Sequence, residues 1–291
     1  MIEIQKSPAS AGFFCFPPRR VDHYRNQQQN HEIGEGRMQL VMDGEPFRQG
    51  DLIVRPAAAW TAGVHALLAV LHRHGFDAAP ISAGYDEAWE RVTYLPGDTG
   101  DLDDRTDMRS EKALQSAASL LRRYHDCSAL FAKSLEAGYR WQLPARPPCE
   151  IICHGDFAPY NVVLNNGEVT GIIDFEAAHP GSRCWDLAYA VYRWAPLSSS
   201  VAAEGLERPA DQIRRARIFV DAYGLPAAER ACLPDIIVER LEALLSFMER
   251  EAERGIERYR RNLQDGHDRI YREDIAYIRK WSAELVTGLT R

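Results

Sequence analysis

Asp156 and Asn161 stand five residues apart in His154-Gly155-Asp156-Phe157-Ala158-Pro159-Tyr160-Asn161, and Asp174 follows in Ile173-Asp174-Phe175. The amide oxygen of Asn161 and the carboxylate of Asp174 suit a hard divalent cation such as Mg2+. Their spacing becomes geometry by counting. Asn166-Gly167 signals a type I′ turn, because both positions must accept positive φ. With that pair as the tip of a hairpin, Asn165 faces Glu168, Val163 faces Thr170 and Asn161 faces Ile172. Asp174 then lies two residues beyond Asn161's partner and points to the same face, at the mouth of the hairpin. Asp156, in the loop just before, lies at the edge of the same site.

The elements that must hold these groups follow from pattern. Ile151-Ile152-Cys153 reads as a buried strand and Asp186–Trp194 as a buried apolar helix, so Ile151–Trp194 runs strand, loop, hairpin, loop, helix. Upstream, Met38–Met42, Phe47 with its neighbours, and Leu52–Arg55 read as three short antiparallel strands. Asp43-Gly44-Glu45 and Gln49-Gly50-Asp51 are the turns between them. Thr61–Gly75 puts Val64, Leu67, Leu68 and Leu71 on one helical face, with Thr61 as N-cap and Gly75 as C-cap. Ile81–Pro96 reads as a strand pair broken by Pro96-Gly97. Asp98–Asp107 reads as a solvated acidic connector, Ser110–Leu130 as a long helix, and Leu143–Pro148 as a proline-rich connector. Ala210–Tyr223, Leu233–Arg254 and Asp268–Leu289 show helical periodicity.

Composition bounds the function. The chain has 291 residues, 45% hydrophobic and 26% charged, as in ordinary globular proteins. A net charge of −7 argues against nucleic acid or an anionic membrane as a partner held by charge. Phe13–Phe16 is too short for a signal segment or a membrane span. A cytoplasmic protein with its six cysteines reduced is expected, as a monomer or weak homodimer. Cys149, Cys153 and His154 lack a fourth ligand for zinc.

His-Gly-Asp-x-x-x-x-Asn followed by Ile-Asp-Phe resembles the catalytic loop and metal motif of the aminoglycoside phosphotransferase and choline kinase group, within the protein-kinase-like fold. Protein kinases carry HRDxxxxN and DFG at these places. Arg183-Cys184-Trp185-Asp186-Leu187-Ala188 also looks like that group. HGDFAPYN, IDFE and AHPGSRxWDLAYA together look closest to a bacterial phosphotransferase subset, sometimes trifolitoxin-immunity-like. The resemblance covers roughly residues 40–195 and is strongest over Ile151–Trp194.

The resemblance implies an α+β bilobal fold. A small β-rich N-lobe over residues 1–96 would cover the nucleotide with a sheet and one αC-like helix. A larger, mainly helical C-lobe over residues 97–291 would carry the catalytic loop, the metal hairpin and the acceptor-binding region. The implied activity moves the γ-phosphate of ATP (or GTP), with Mg2+, to a hydroxyl of a small molecule such as an aminoglycoside-like antibiotic, an amino sugar or a metabolite. Under it, Asp156 accepts a hydrogen bond from the acceptor hydroxyl, and Asn161 and Asp174 hold Mg2+. Arg55, where the group usually has lysine, grips the phosphates as a planar fork. Asp43, Gly44 and Glu45 cover the phosphates, and Thr93, Tyr94 and Leu95 form the hinge that meets adenine. His154 and Asp186 orient the catalytic loop. Glu176 is a second metal contact, an acceptor-facing group or a plain loop carboxylate.

One departure stands out. The helix Thr61–Gly75 contains no acid; its polar residues include His65, His72, Arg73 and His74. The glutamate that would pair with the strand cation is missing from it, and Glu87 or Glu90 are the candidates to supply that carboxylate. The departure keeps open a second reading, a kinase-like nucleotide- or peptide-binding immunity protein without turnover.

Overall fold

The computed structural model describes residues 46–135 and 138–291. The expected strand Met38–Met42 and the turn Asp43-Gly44-Glu45 lie outside the described residues.

The N-terminal region is a four-stranded antiparallel sheet of β1 (Phe47–Gln49), β2 (Leu52–Pro56), β3 (Ser82–Tyr85) and β4 (Trp89–Thr93), in the order β1-β2-β4-β3. Gly50 turns β1 into β2 with φ 61°, a conformation glycine adopts without steric cost. Helix α1 (Thr61–Arg73) buries Val64, Leu67, Leu68 and Leu71, the expected face, and packs against β3. Thr61 is not its N-cap. That position falls to Trp60, which makes no side-chain capping bond, while the Thr61 hydroxyl accepts the Ala58 N–H from inside the first turn.

After β4 the chain passes close over the C-terminal region. Asp98 exchanges both backbone hydrogen bonds with Leu164, and a Cβ on Gly97 would fall 2.4 Å from Val163. The acidic connector is less solvated than expected. Arg105 is gripped by Asp98 at 3.0 Å and Asp107 at 2.6 Å, and Asp101 reaches Arg193 at 3.3 Å.

The C-terminal region is mainly helical. It contains α2 (Glu111–Lys133), β5 (Ile151–Cys153), β6 (Val162–Asn165), β7 (Glu168–Ile172), β8 (His179–Gly181) and α3 (Arg183–Trp194). Then follow α4 (Pro209–Tyr223), α5 (Ala227–Arg230), α6 (Leu233–Glu253), α7 (Glu257–Gln264), α8 (His267–Lys280) and α9 (Ser282–Thr290). Ser110 caps α2 by accepting the Ala113 N–H, which satisfies one of the donors a helix start leaves free. The strand β8, in a stretch expected as loop, pairs with β5. The single helix expected over Asp268–Leu289 breaks at Trp281 into α8 and α9. The break lets α9 lie on α4, so closely that a Cβ on Gly288 would meet Ile213 at 2.3 Å. A small strand-rich region and a larger helical one make this an α+β bilobal fold.

Candidate active site

The hairpin β6–β7 has the expected tip: Asn166 and Gly167 have φ 52° and 76°, and Asn165 pairs with Glu168. The register then shifts by one. Leu164 pairs with Val169, but Val163 pairs with Gly171 rather than Thr170, and Val162 with Ile172. Thr170 is the extra residue of a bulge, its hydroxyl held by Asn165 Nδ2 at 2.8 Å. In consequence the Asn161 carbonyl accepts from Ile173 N–H at 3.0 Å, not from Ile172. Asp174 follows with φ 61° and ψ 72°, a left-handed conformation uncommon for a residue with a Cβ.

The loop before the hairpin is fixed from several sides. Asp186, at the start of α3 and 1% exposed, accepts the N–H groups of His154 and Gly155 at 2.8 Å each and His125 Nε2 at 2.9 Å. Burial alone would raise its carboxyl, but the bond and charge of His125, the charge of His154 and the Gly155 amide hold it well below the usual range. His154 bonds backbone at both ring nitrogens, Nε2 to the Ile173 carbonyl at 3.0 Å and Nδ1 to the Asp156 N–H at 3.3 Å. It therefore ties the loop of Asp156 to the end of the hairpin. Phe157 is buried beside Trp194, which in turn packs on Phe219, so the loop is rooted in the helical core.

Asp156 is itself 2% exposed. Its Oδ1 accepts the Tyr160 hydroxyl at 2.8 Å and its Oδ2 accepts Asn161 Nδ2 at 2.9 Å. Burial pushes its carboxyl up to about 7; the Tyr160 hydrogen bond opposes the rise and the Asp174 charge adds to it. Because Asn161 spends its Nδ2 on the Asp156 carboxylate and carbonyl, its amide oxygen is the atom left for a cation.

Arg55 and Glu90 are register partners across β2 and β4. Arg55 Nε pairs with Glu90 Oε1, and Arg55 Nη1 lies 3.0 Å from Asp174 Oδ1. Glu90 thus supplies the carboxylate absent from α1, from the neighbouring strand. Glu87 does not take that place. Glu176 is engaged by Gln142 at 2.7 Å and by Arg258 of α7 at 3.2 Å, which makes it a tie between the loop after Asp174 and the C-terminal helices. The amides of Thr93 and Tyr94 donate to the carbonyls of Ile81 and Asp51.

Three residues of this site escaped the sequence reading. In sequence Tyr160 is a loop residue that no pattern marks. Arg193 of α3, 7% exposed, lies with its guanidinium 5.2 Å from the Tyr160 ring centre. Arg240 of α6 donates to the Gly155 carbonyl at 2.8 Å and stacks 5.0 Å from the Tyr189 ring. The only usable signal was a cation within a buried helical face in each arginine's case. Arg193 also lines a cleft of about 290 Å³ between the connector and α8, walled by Asp101, Asp103, Arg269, Glu273 and Asp274. Arg193 thus touches both that cleft and the Tyr160 ring, whose hydroxyl bonds Asp156.

The Tyr160 bond has a measurable consequence. Its hydroxyl favours the ionised form of Asp156, so Tyr160→Phe raises that carboxyl further above 7. If ionised Asp156 is the base, the acidic limb of the kcat/KM profile moves to higher pH. Activity at pH 7 falls and recovers in alkali. An unmoved limb would remove Tyr160 from this role.

A model of the phosphotransferase enzyme family matches residues 129–232. The trifolitoxin immunity protein of Rhizobium leguminosarum bv. trifolii is 29% identical over 198 residues, 66% of this chain and 74% of that protein. A homoserine kinase of Neisseria meningitidis serogroup B is 34% identical over 87 residues, 28% of this chain and 26% of that protein. Among solved structures, amicoumacin kinase hAmiN in complex with AMP-PNP, Ca2+ and Ami superposes with a TM-score of 0.52 at 13% identity. That match covers 76% of this chain and 84% of that one, and it establishes a shared kinase-like fold. Among the described residues no helix is long and apolar enough to cross a membrane.

Proposed function

We propose that this chain, whose residues 129–232 match the phosphotransferase enzyme family, is a small-molecule kinase that moves the γ-phosphoryl group of ATP or GTP to an alcohol. The observation that carries the reading is the convergence of a buried, hydrogen-bonded Asp156, the Asn161–Asp174 pair and Arg55 at the mouth of one hairpin.

The residues fit Mg2+. Among the described residues no group of three or more His, Cys, Asp or Glu side chains gathers to cage a metal. Mg2+ characteristically takes one or two protein oxygens and fills its other positions with phosphate and water. Asn161 and Asp174 would hold it, and when bound it neutralises charge on the β- and γ-phosphates. Asp156 receives the acceptor's hydroxyl proton while the acceptor oxygen bonds to phosphorus, and the bond from phosphorus to the bridging β–γ oxygen breaks to release the nucleoside diphosphate. Arg55 swings between Asp174 and the phosphates. With the Thr93 and Tyr94 amides already donated, recognition of adenine along Thr93–Leu95 falls to carbonyls and to Leu95.

The acceptor enters the cleft beside Arg193. Its four carboxylates, Asp101, Asp103, Glu273 and Asp274, outnumber Arg193 and Arg269, which favours a hydroxylated acceptor carrying positive charge. The domain division at residues 96 and 97 is part of the same proposal: nucleotide above, acceptor below.

Thermal unfolding tests it. A ligand at 100 times its Kd adds about 2.7 kcal/mol, so ATP or GTP with Mg2+ should raise Tm by several degrees, and Asp174→Ala should abolish the Mg2+-dependent part. No shift with either nucleotide would refute the kinase reading. The similarity to an immunity protein favours one alternative, a nucleotide- or peptide-binding protein without turnover; a stoichiometric phosphorylated product removes it.

A further inference from the structure

We propose that His65 is a positioning residue for nucleotide binding: from α1 it holds Glu90 in place, and Glu90 in turn holds the Arg55 fork toward the phosphates. The proposal rests on the phosphotransferase reading of the site.

His65 is 4% exposed and Glu90 3%. His65 Nδ1 lies 2.7 Å from Ser82 Oγ, and its Nε2 lies 3.2 Å from Glu90 Oε2. With the Ser82 hydroxyl donating to Nδ1, the ring proton sits on Nε2, close to the carboxylate but not in a formed hydrogen bond with it. The other carboxylate oxygen of Glu90 takes Arg55 Nε, and Arg55 Nη1 reaches Asp174. Four side chains from α1, β4, β2 and the hairpin end thus form one line from the helix to the candidate metal carboxylate.

The division of labour differs from the pattern the sequence resembles. There the helix carries the acid; here the sheet carries it and the helix sets an imidazole nitrogen 3.2 Å from it. The Arg55–Glu90 pair is already fixed by strand register, so His65 is not needed to bring the two together. What it adds is torsional. Without Nε2, the buried Oε2 of Glu90 loses the ring that packs 3.2 Å from it, and of its side-chain partners only Thr61 and Arg55 remain to hold the carboxylate plane. The edge that Arg55 reads is then less firmly held. Arg55 retains its second contact, Asp174, and shifts toward it, which withdraws the fork from the phosphates and masks the metal carboxylate together.

Two amides separate this role from simple packing. Glutamine places its side-chain N–H near the position of His Nε2, and asparagine near that of Nδ1. Both are polar, so both burden the buried site. His65→Gln should bind Mg2+ with ATP within about 3-fold of the wild type, whereas His65→Asn should bind it at least about 10-fold more weakly. Calorimetric titration of nucleotide reads this without turnover. In steady state the same variants should change KM for nucleotide and leave KM for the acceptor unmoved. Equal nucleotide affinity in the two variants, or wild-type affinity in His65→Asn, overturns the proposal. If neither variant folds, Ser82→Ala removes the hydroxyl that sets the ring proton, at a half-exposed strand position. A loss of about 2–5-fold in nucleotide affinity supports the proposal, and an unchanged affinity overturns it. A wild-type chain that binds no nucleotide refutes the phosphotransferase reading instead, and is distinguishable because it needs no variant.

Discussion

Asp156→Asn should slow phosphoryl transfer by about 10²–10⁴-fold, the range for a lost general base, and should make the free protein harder to unfold at pH 8. The two effects have one origin. Burial raises the Asp156 carboxyl to about 7, so the fold prefers the neutral acid. Well below pH 4 the carboxyl is protonated in both folded and unfolded chains and costs nothing. As pH rises toward 7 the unfolded chain ionises first, and stability falls until the folded carboxyl ionises as well. Above that point the cost is complete, up to about 4 kcal/mol as an upper bound. Asparagine escapes it. Its oxygen can accept from Asn161 Nδ2, and its own N–H can donate to the Tyr160 hydroxyl, which turns to accept. Melting curves from pH 4 to 8.5 should therefore diverge with pH, the variant melting higher in alkali. A difference independent of pH would mean that the carboxyl is not buried as described.

Gly155→Ala should be the most damaging single methyl in the catalytic loop. Gly155 has φ 83°, and an added Cβ would lie 2.3 Å from the Ala177 carbonyl oxygen. That neighbour is backbone and cannot rotate away. Moving Gly155 instead disturbs its amide bond to Asp186 and its carbonyl bond from Arg240, each 2.8 Å. Loss of about 3–5 kcal/mol is expected, read as a lowered denaturant midpoint, with activity lost even where the chain stays folded. Gly167→Ala is the control. It shares a positive φ, 76°, but its nearest neighbour would be Lys112 Cδ at 3.9 Å, so it should cost only about 1–2 kcal/mol. Equal damage at both positions would show that backbone conformation, not the Ala177 contact, dominates.

The site was legible where it depends on near neighbours in sequence. Asn166-Gly167 fixed the turn, and Thr61–Gly75 displayed its apolar face. The bulge at Thr170 was not legible, because counting outward from a turn assumes that neither arm carries an extra residue. Glu90 was one of two candidates until the pairing of β2 with β4 placed it opposite Arg55. Tyr160, Arg193 and Arg240 were missed because their roles arise from contacts between segments far apart in the chain, which leave no periodic trace. The break at Trp281 escaped for the opposite reason: the periodicity of Asp268–Leu289 continues through it, and packing against α4 decides where the helix bends.

The bulge at Thr170 makes the two ends of the hairpin unequal in their tolerance of length. Asn166 at the tip is exposed, so residues inserted there lengthen a solvent-facing loop and leave the mouth intact. Removing Thr170 itself would leave Gly171 opposite Val163 and Ile172 opposite Val162, whereas removing one residue between the bulge and Asp174 would carry every later residue of that arm to the opposite face. Asp174 would then turn away from Asn161 although no residue of the site had changed. Chain length within this arm, not residue identity alone, is therefore a quantity that selection on the site must hold constant.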